Sequence, residues 1–231
     1  MNIHGLNRLT LLDYPGHVSA TLFLGGCNFR CPFCQNANLV LHPETEPGIP
    51  EEEVFAYLKK RRPVLEGVCI SGGEPTLYQE LPELIRRIKD LNYLVKLDTN
   101  GSNPDMIKYL FAEHLIDFVA MDIKSSKEHY ELVAGRTQLN LSALQDSIDF
   151  LMSGQLDYEF RTTVVKGLHT KSDFEHIRDW ISGCRAYYLQ SYRASEHVIC
   201  PGFESFTREE LEAFQTILQK KIPLVKLRGI D

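Results

Sequence analysis

The stretch Gly25-Gly26-Cys27-Asn28-Phe29-Arg30-Cys31-Pro32-Phe33-Cys34-Gln35-Asn36 places three of the chain's six cysteines within eight positions. The thiols stand at CxxxCxxC spacing directly after the apolar run Val18 to Leu24, so a strand is expected to deliver them to a loop. Three thiolates on one short loop can converge on one soft metal centre. A closed structural zinc site takes four ligands, and iron-sulfur clusters usually take four thiolates. Cys69, Cys184 and Cys200 are isolated from the loop and from one another, which leaves the fourth ligand missing. Three ligands leave a metal position open, and an open position is where metal chemistry takes place.

Outward from that loop, short β-rich runs alternate with segments of helical periodicity, the pattern of a parallel sheet. Strands are expected at 17–24, 67–71, 93–97, 117–121, 158–165 and 186–190. Helices are expected at 51–62, 79–91, 104–114, 142–152, 172–181 and 207–219. The run Pro223 to Leu227 reads either as one more strand or as an apolar tail. The region around Gly135 shows no regular period. Six βα units in succession predict an α/β fold, a partial (β/α)6 barrel of parallel strands with outer helices. Cys27, Glu74, Asp98, Asp122 and the stretch from Gln190 to Arg193 all fall just past predicted strand ends, the rim that carries the active site in β/α barrels.

The length of 231 residues exceeds the ~150-residue prior for one domain but suits one α/β barrel. A single domain over 1–231 is therefore expected, with its core at about 17–219 and a tail at 220–231. With 43% hydrophobic and 24% charged residues the composition is that of a globular protein. The net charge of -6 argues against direct nucleic-acid binding. No apolar run approaches the ~20 residues of a membrane span, and Met1 to Gly16 contains no leader-like apolar stretch. A soluble, cytoplasmic protein is expected, and in that reducing compartment clustered thiols favour metal binding over disulfides.

The cysteine motif, followed after the next strand by Gly72-Gly73-Glu74, resembles the two leading signatures of the radical S-adenosylmethionine (SAM) superfamily. The text Leu11-Leu12-Asp13-Tyr14-Pro15-Gly16 together with the cysteine loop most resembles activating enzymes of anaerobic ribonucleotide reductase, relatives of pyruvate formate-lyase activating enzyme. The likeness runs from about Thr10 to Val165 and weakens beyond. It implies that Cys27, Cys31 and Cys34 hold one 4Fe-4S cluster whose remaining iron is chelated by SAM. Reductive cleavage of SAM would then give a 5'-deoxyadenosyl radical that removes a hydrogen from a glycine of a partner. The implied partners are a glycyl-radical enzyme, the large subunit of anaerobic ribonucleotide reductase, and a reduced flavodoxin or ferredoxin-type electron donor.

The same resemblance assigns the methionyl amino group to Gly72, Gly73 and Glu74, and an adenine contact to Phe33. It sets the loop of Asp98, Thr99 and Asn100 beside SAM. Asp98, Thr99 and Asp122 are implied to form a monovalent cation site, and Lys124 is implied to reach SAM. Arg161, a guanidinium inside a predicted strand, suits a bidentate grip on the SAM carboxylate. Where some relatives place a histidine this chain has Tyr192-Arg193, so ribose and adenine contacts there stay unassigned.

Plainer readings stand beside these. The cysteines with His42 would make a zinc knuckle, and the chain would then be a non-catalytic zinc-binding module. Phe29 and Phe33 would be core aromatics, Gly72-Gly73 a bend, Asp98 to Gly101 a helix-capping loop, Lys124 a solvated lysine and Arg161 a surface residue. A radical SAM enzyme acting on a small molecule or peptide would share the cluster and SAM residues. Cys69, Cys184 and Cys200 read as structural thiols, and His114, His129 and His176 as surface histidines.

Overall fold

The computed structural model describes residues 2–195 and 198–230. By its internal contacts the chain divides into two compact units. The first comprises 1–28, 38–99 and 103–120, and the second 29–37, 100–102 and 121–231.

In the first unit β1 (Ile3–Thr10) runs antiparallel to β2 (Ser19–Leu24), with Ile3 opposite Leu24 and Thr10 opposite Ser19. β1 was not among the expected strands. Its sequence, IHGLNRLT, carries Gly5 and the polar pair Asn7-Arg8, so it lacks the apolar run of a central strand. Gly5 lies flat against the Phe23 ring, where a Cβ would come within 3.1 Å. The short helix α1 (Ala37–Leu41) follows the cysteine loop, and α2 (Glu51–Arg61) opens with three glutamates and closes with Lys59, Lys60 and Arg61. That charge order complements the helix dipole.

β3 (Gly67–Gly72) pairs parallel with β2, and β4 (Leu94–Thr99) with β3. Between them lies α3 (Leu81–Lys89), which buries Leu81, Leu84, Ile85 and Ile88 along one face. β4 extends through Asp98 and Thr99, two residues further than expected, so both side chains are held by strand backbone. Helix α4 (Pro104–Ala112) starts at Asn103, whose side chain accepts from the Met106 N–H, and leads to β5 (Phe118–Asp122).

In the second unit the region around Gly135 contains a helix, α5 (Tyr130–Ala134), capped by Gly135 in the left-handed conformation. Five residues are too few for a helical period to show in sequence. α6 (Leu141–Met152) precedes β6 (Asp157–Val164), α7 (Lys171–Trp180), β7 (Tyr187–Ser191), α8 (Arg208–Leu218) and β8 (Val225–Arg228). β6, β7 and β8 pair in parallel, so Pro223 to Leu227 contributes a strand and not a loose tail. α7 and α8 both begin with a capping box, Thr170 with Asp173 and Thr207 with Glu210.

The α/β class is as expected, with parallel strands and helices between them in each unit. Within each unit strand order follows chain order, β1-β2-β3-β4 in the first and β6-β7-β8 in the second, which is what successive βα units produce. Among the described residues no helix is long and apolar enough to cross a membrane.

Candidate functional site

In the first unit the Gly-Gly-Glu turn is clipped onto the start of the cysteine loop. The Gly73 N–H donates to the Leu24 carbonyl and the Glu74 N–H to the Gly26 carbonyl, each at 2.8 Å. Gly72 has φ +114°, and a Cβ there would meet the Leu24 carbonyl oxygen at 2.3 Å. A Cβ on Gly73 would meet the Gly26 oxygen at 1.8 Å. The two glycines are thus required by the approach of the chain's own backbone, one residue before Cys27. The Tyr78 hydroxyl donates to the Gly25 carbonyl, and the Gly26 N–H donates to the Leu39 carbonyl in α1.

Glu74 is wholly buried, and its Oε1 accepts from the Thr76 N–H, the Thr76 hydroxyl and the Thr99 hydroxyl, the last at 2.7 Å. A buried carboxylate with three donors on one oxygen is held in one orientation. Asp98 accepts from the Ser71 hydroxyl at 3.0 Å and from the ammonium of Lys96. Sequence reading passed over Lys96. A charged residue in the middle of a strand read as buried was the signal that would have found it.

In the second unit Cys31 and Cys34 share a tight turn, in which the Cys34 N–H donates to the Cys31 carbonyl at 2.9 Å. Burial pushes the Cys31 thiol up to about 11, with Lys124 drawing it down and Cys34 and Asp122 adding to the rise. Burial also raises Cys34. The turn is braced from three sides within its unit. The Arg30 N–H donates to Ala134 at the end of α5, the Cys200 N–H to Pro32, and the Gln35 amide to the Arg193 carbonyl. Gly135 permits the first brace, since a Cβ there would meet the Arg30 oxygen at 2.0 Å. Phe29 is a core aromatic, packed edge-on against Tyr130. Phe33 is buried as well.

Asp122 at the end of β5 accepts from Arg161 Nε at 2.5 Å and from Lys124 Nζ at 2.8 Å. Burial alone would raise the Asp122 carboxyl, but Arg161 and Lys124 outweigh it and hold the group well below the usual carboxylate range. Burial would lower Lys124, and Asp122 first, then Cys31, hold it above the usual lysine range. The three groups therefore carry one net positive charge beside the buried Cys31 and the half-buried Cys34. The Lys124 carbonyl accepts from His169 Nε2 at 2.8 Å, and Asp173 accepts from Ser125, Ser126, His129 and Thr170 around the loop that follows. His129 is exposed, as its surface reading has it, and its ring also anchors this loop through Asp173.

Asn100 accepts from the Ser102 N–H, closing the turn after β4, and Gly101 accepts from the Ser147 hydroxyl. Cys69 and Cys184 are buried thiols and Cys200 is exposed. His42, the fourth ligand of the zinc reading, is exposed and lies 3.6 Å from Glu44.

Soft sulfur donors, with Cys31 buried, Cys34 half-buried and the Lys124 ammonium acting on both, suit thiolate ligation of an iron-sulfur cluster, since ligation replaces the proton that burial otherwise retains. The chain belongs to the radical SAM superfamily, whose family model matches residues 21–181. It is 33% identical over 198 residues to a candidate glycyl-radical enzyme activating enzyme of Methanocaldococcus jannaschii, covering 84% of this chain and 81% of that one. It is 26% identical over 207 residues to the 7-carboxy-7-deazaguanine synthase of Methanopyrus kandleri, covering 80% and 77%. Among solved structures, Streptococcus suis SuiB bound to S-adenosylmethionine superposes with a TM-score of 0.68 at 14% identity, over 90% of this chain. The chain spans about half of SuiB, 52% of its length.

Proposed function

We propose that the chain is an activating enzyme that places a glycyl radical on a large partner, the large subunit of an anaerobic ribonucleotide reductase. The observation that carries this reading is the likeness to the candidate glycyl-radical enzyme activating enzyme of Methanocaldococcus jannaschii, which spans most of both chains. In it, Cys27, Cys31 and Cys34 hold one 4Fe-4S cluster, with the electron delivered by a reduced flavodoxin or ferredoxin-type donor. When bound, the cluster and SAM supply a one-electron reductive cleavage that yields a 5'-deoxyadenosyl radical.

The chain's own groups bind and orient. The turn of Gly72, Gly73 and Glu74 receives the amino group of SAM, and its attachment to Gly26 sets it beside the first cysteine. Arg161, with Nε on Asp122, grips the carboxylate, and Lys124 keeps a positive charge near the thiols. Asp98 and Asn100 line the cofactor, and Phe33 covers the adenine.

A second reading, a radical SAM enzyme acting on a small molecule or peptide, is favoured by the likeness to the deazaguanine synthase. The test is an anaerobic mixture of reconstituted protein, SAM, reductant and a ribonucleotide reductase large subunit, followed by electron paramagnetic resonance. A glycyl-radical doublet on the subunit supports the activase. No doublet, with turnover of a small molecule instead, supports the second reading.

A further inference from the structure

Lys96 stands in the middle of β4 at 1% exposure, where a parallel strand ordinarily carries an apolar side chain. In register it faces Cys69 of β3, which in turn faces Thr21 of β2. Its ammonium lies 3.7 Å from Cys69 Sγ and is ion-paired with Asp98 Oδ1. The other Asp98 oxygen accepts from Ser71, and Thr21 donates to Asp13 at 2.5 Å. A polar file thus crosses three strands of this unit and ends at the strand end assigned to SAM. A buried ammonium persists only where a carboxylate and further polar partners compensate its desolvation.

The family resemblance implies a diffusible monovalent cation held partly by Asp98 and Thr99. Lys96 brings a cation to the same carboxylate on a covalent tether. An ammonium is a compact point charge with three donors, and a second cation at Asp98 would be repelled by it. We propose that Lys96 is a built-in counter-cation for Asp98, so that SAM binding by this chain requires no alkali metal ion. Lys96 is a positioning residue in this account, which rests on the SAM reading above.

The test is calorimetric titration of SAM into the reconstituted holoprotein in potassium, sodium or N-methyl-D-glucamine chloride at equal ionic strength. Wild-type affinity should agree across the three salts. Lys96→Met should bind about tenfold more weakly in N-methyl-D-glucamine, a loss of the size seen when a group behind a ligand is removed, and recover in potassium or sodium. Lys96→Arg should behave as wild type.

A wild-type affinity that collapses when alkali ions are withdrawn would overturn the proposal. So would a Lys96→Met defect of equal size in every salt, which marks a packing role. The wild-type series decides even if Lys96→Met fails to fold. Absence of SAM binding by wild type in all three salts would instead overturn the SAM reading, and the Lys96 role with it.

Discussion

The backbone N–H of Glu74 donates to the carbonyl of Gly26 at 2.8 Å, tying the end of β3 to the residue that precedes Cys27. The buried carboxylate and the first cysteine are therefore fixed to one another through the main chain, whatever their side chains do.

Gly73→Ala tests that tie. A methyl group at 1.8 Å from the Gly26 oxygen has only backbone in its way, so one of the two loops must move. Such overpacking costs about 1–3 kcal/mol. The expected result is a lowered thermal midpoint together with reduced iron content after reconstitution. Full iron content would show that the tie does not set the cysteine loop.

Glu74→Gln separates charge from shape. The amide oxygen still accepts from Thr76 and Thr99, so the fold should hold, while the negative charge offered to an ammonium is lost. A hydrogen bond to a charged group contributes about 1.5–3 kcal/mol, so SAM affinity should fall about tenfold or more. Calorimetry on the variant reads this directly, and unchanged affinity would remove Glu74 from the cofactor site.

Asp122→Asn leaves Arg161 and Lys124 without their shared carboxylate. Removing one member of a substantially buried charged group costs about 3 kcal/mol. Chemical denaturation should show that loss, and Asp122→Asn combined with Arg161→Met should recover part of it. Simple additivity of the two changes would argue that they do not interact.

Asp173 predicts an acid transition. Burial would raise its carboxyl, but hydrogen bonds from Ser126, Thr170 and His129 outweigh it and lower the group from 3.8 to about 2. A group depressed in the folded state contributes stability that is present above the unfolded value and lost as pH falls through the folded one. Stability should therefore decline between about pH 4 and pH 2 on this account, and Asp173→Asn should flatten that part of the curve. Denaturant titrations across the window check it.

Legibility from sequence followed burial. β3 and β5 are built on unbroken apolar runs, Val68 to Ile70 and Val119 to Met121, while β4, β6 and β7 mix apolar with polar residues; the positions of all five were readable to within one or two residues. β1 was not, because it has a neighbour on one side only in the strand order and alternates around Gly5 and Asn7 without a clear apolar face. α5 was hidden by its length, although Gly135 marked its end. Glu74, Asp98, Asp122 and the cysteines were found through motif text and strand-end position. Ser71 and Tyr130, whose hydroxyls donate to the Asp98 carboxylate and to the Asp122 carbonyl, take part through long-range hydrogen bonds that no local pattern encodes.

The central claim is that three cysteines hold a cluster at which SAM is cleaved. It is tested most directly by quantifying 5'-deoxyadenosine from anaerobically reconstituted protein given SAM and a strong reductant. Wild type should release it, and Cys31→Ala should not. A wild-type protein that binds zinc stoichiometrically under the same conditions and releases no 5'-deoxyadenosine would contradict the account.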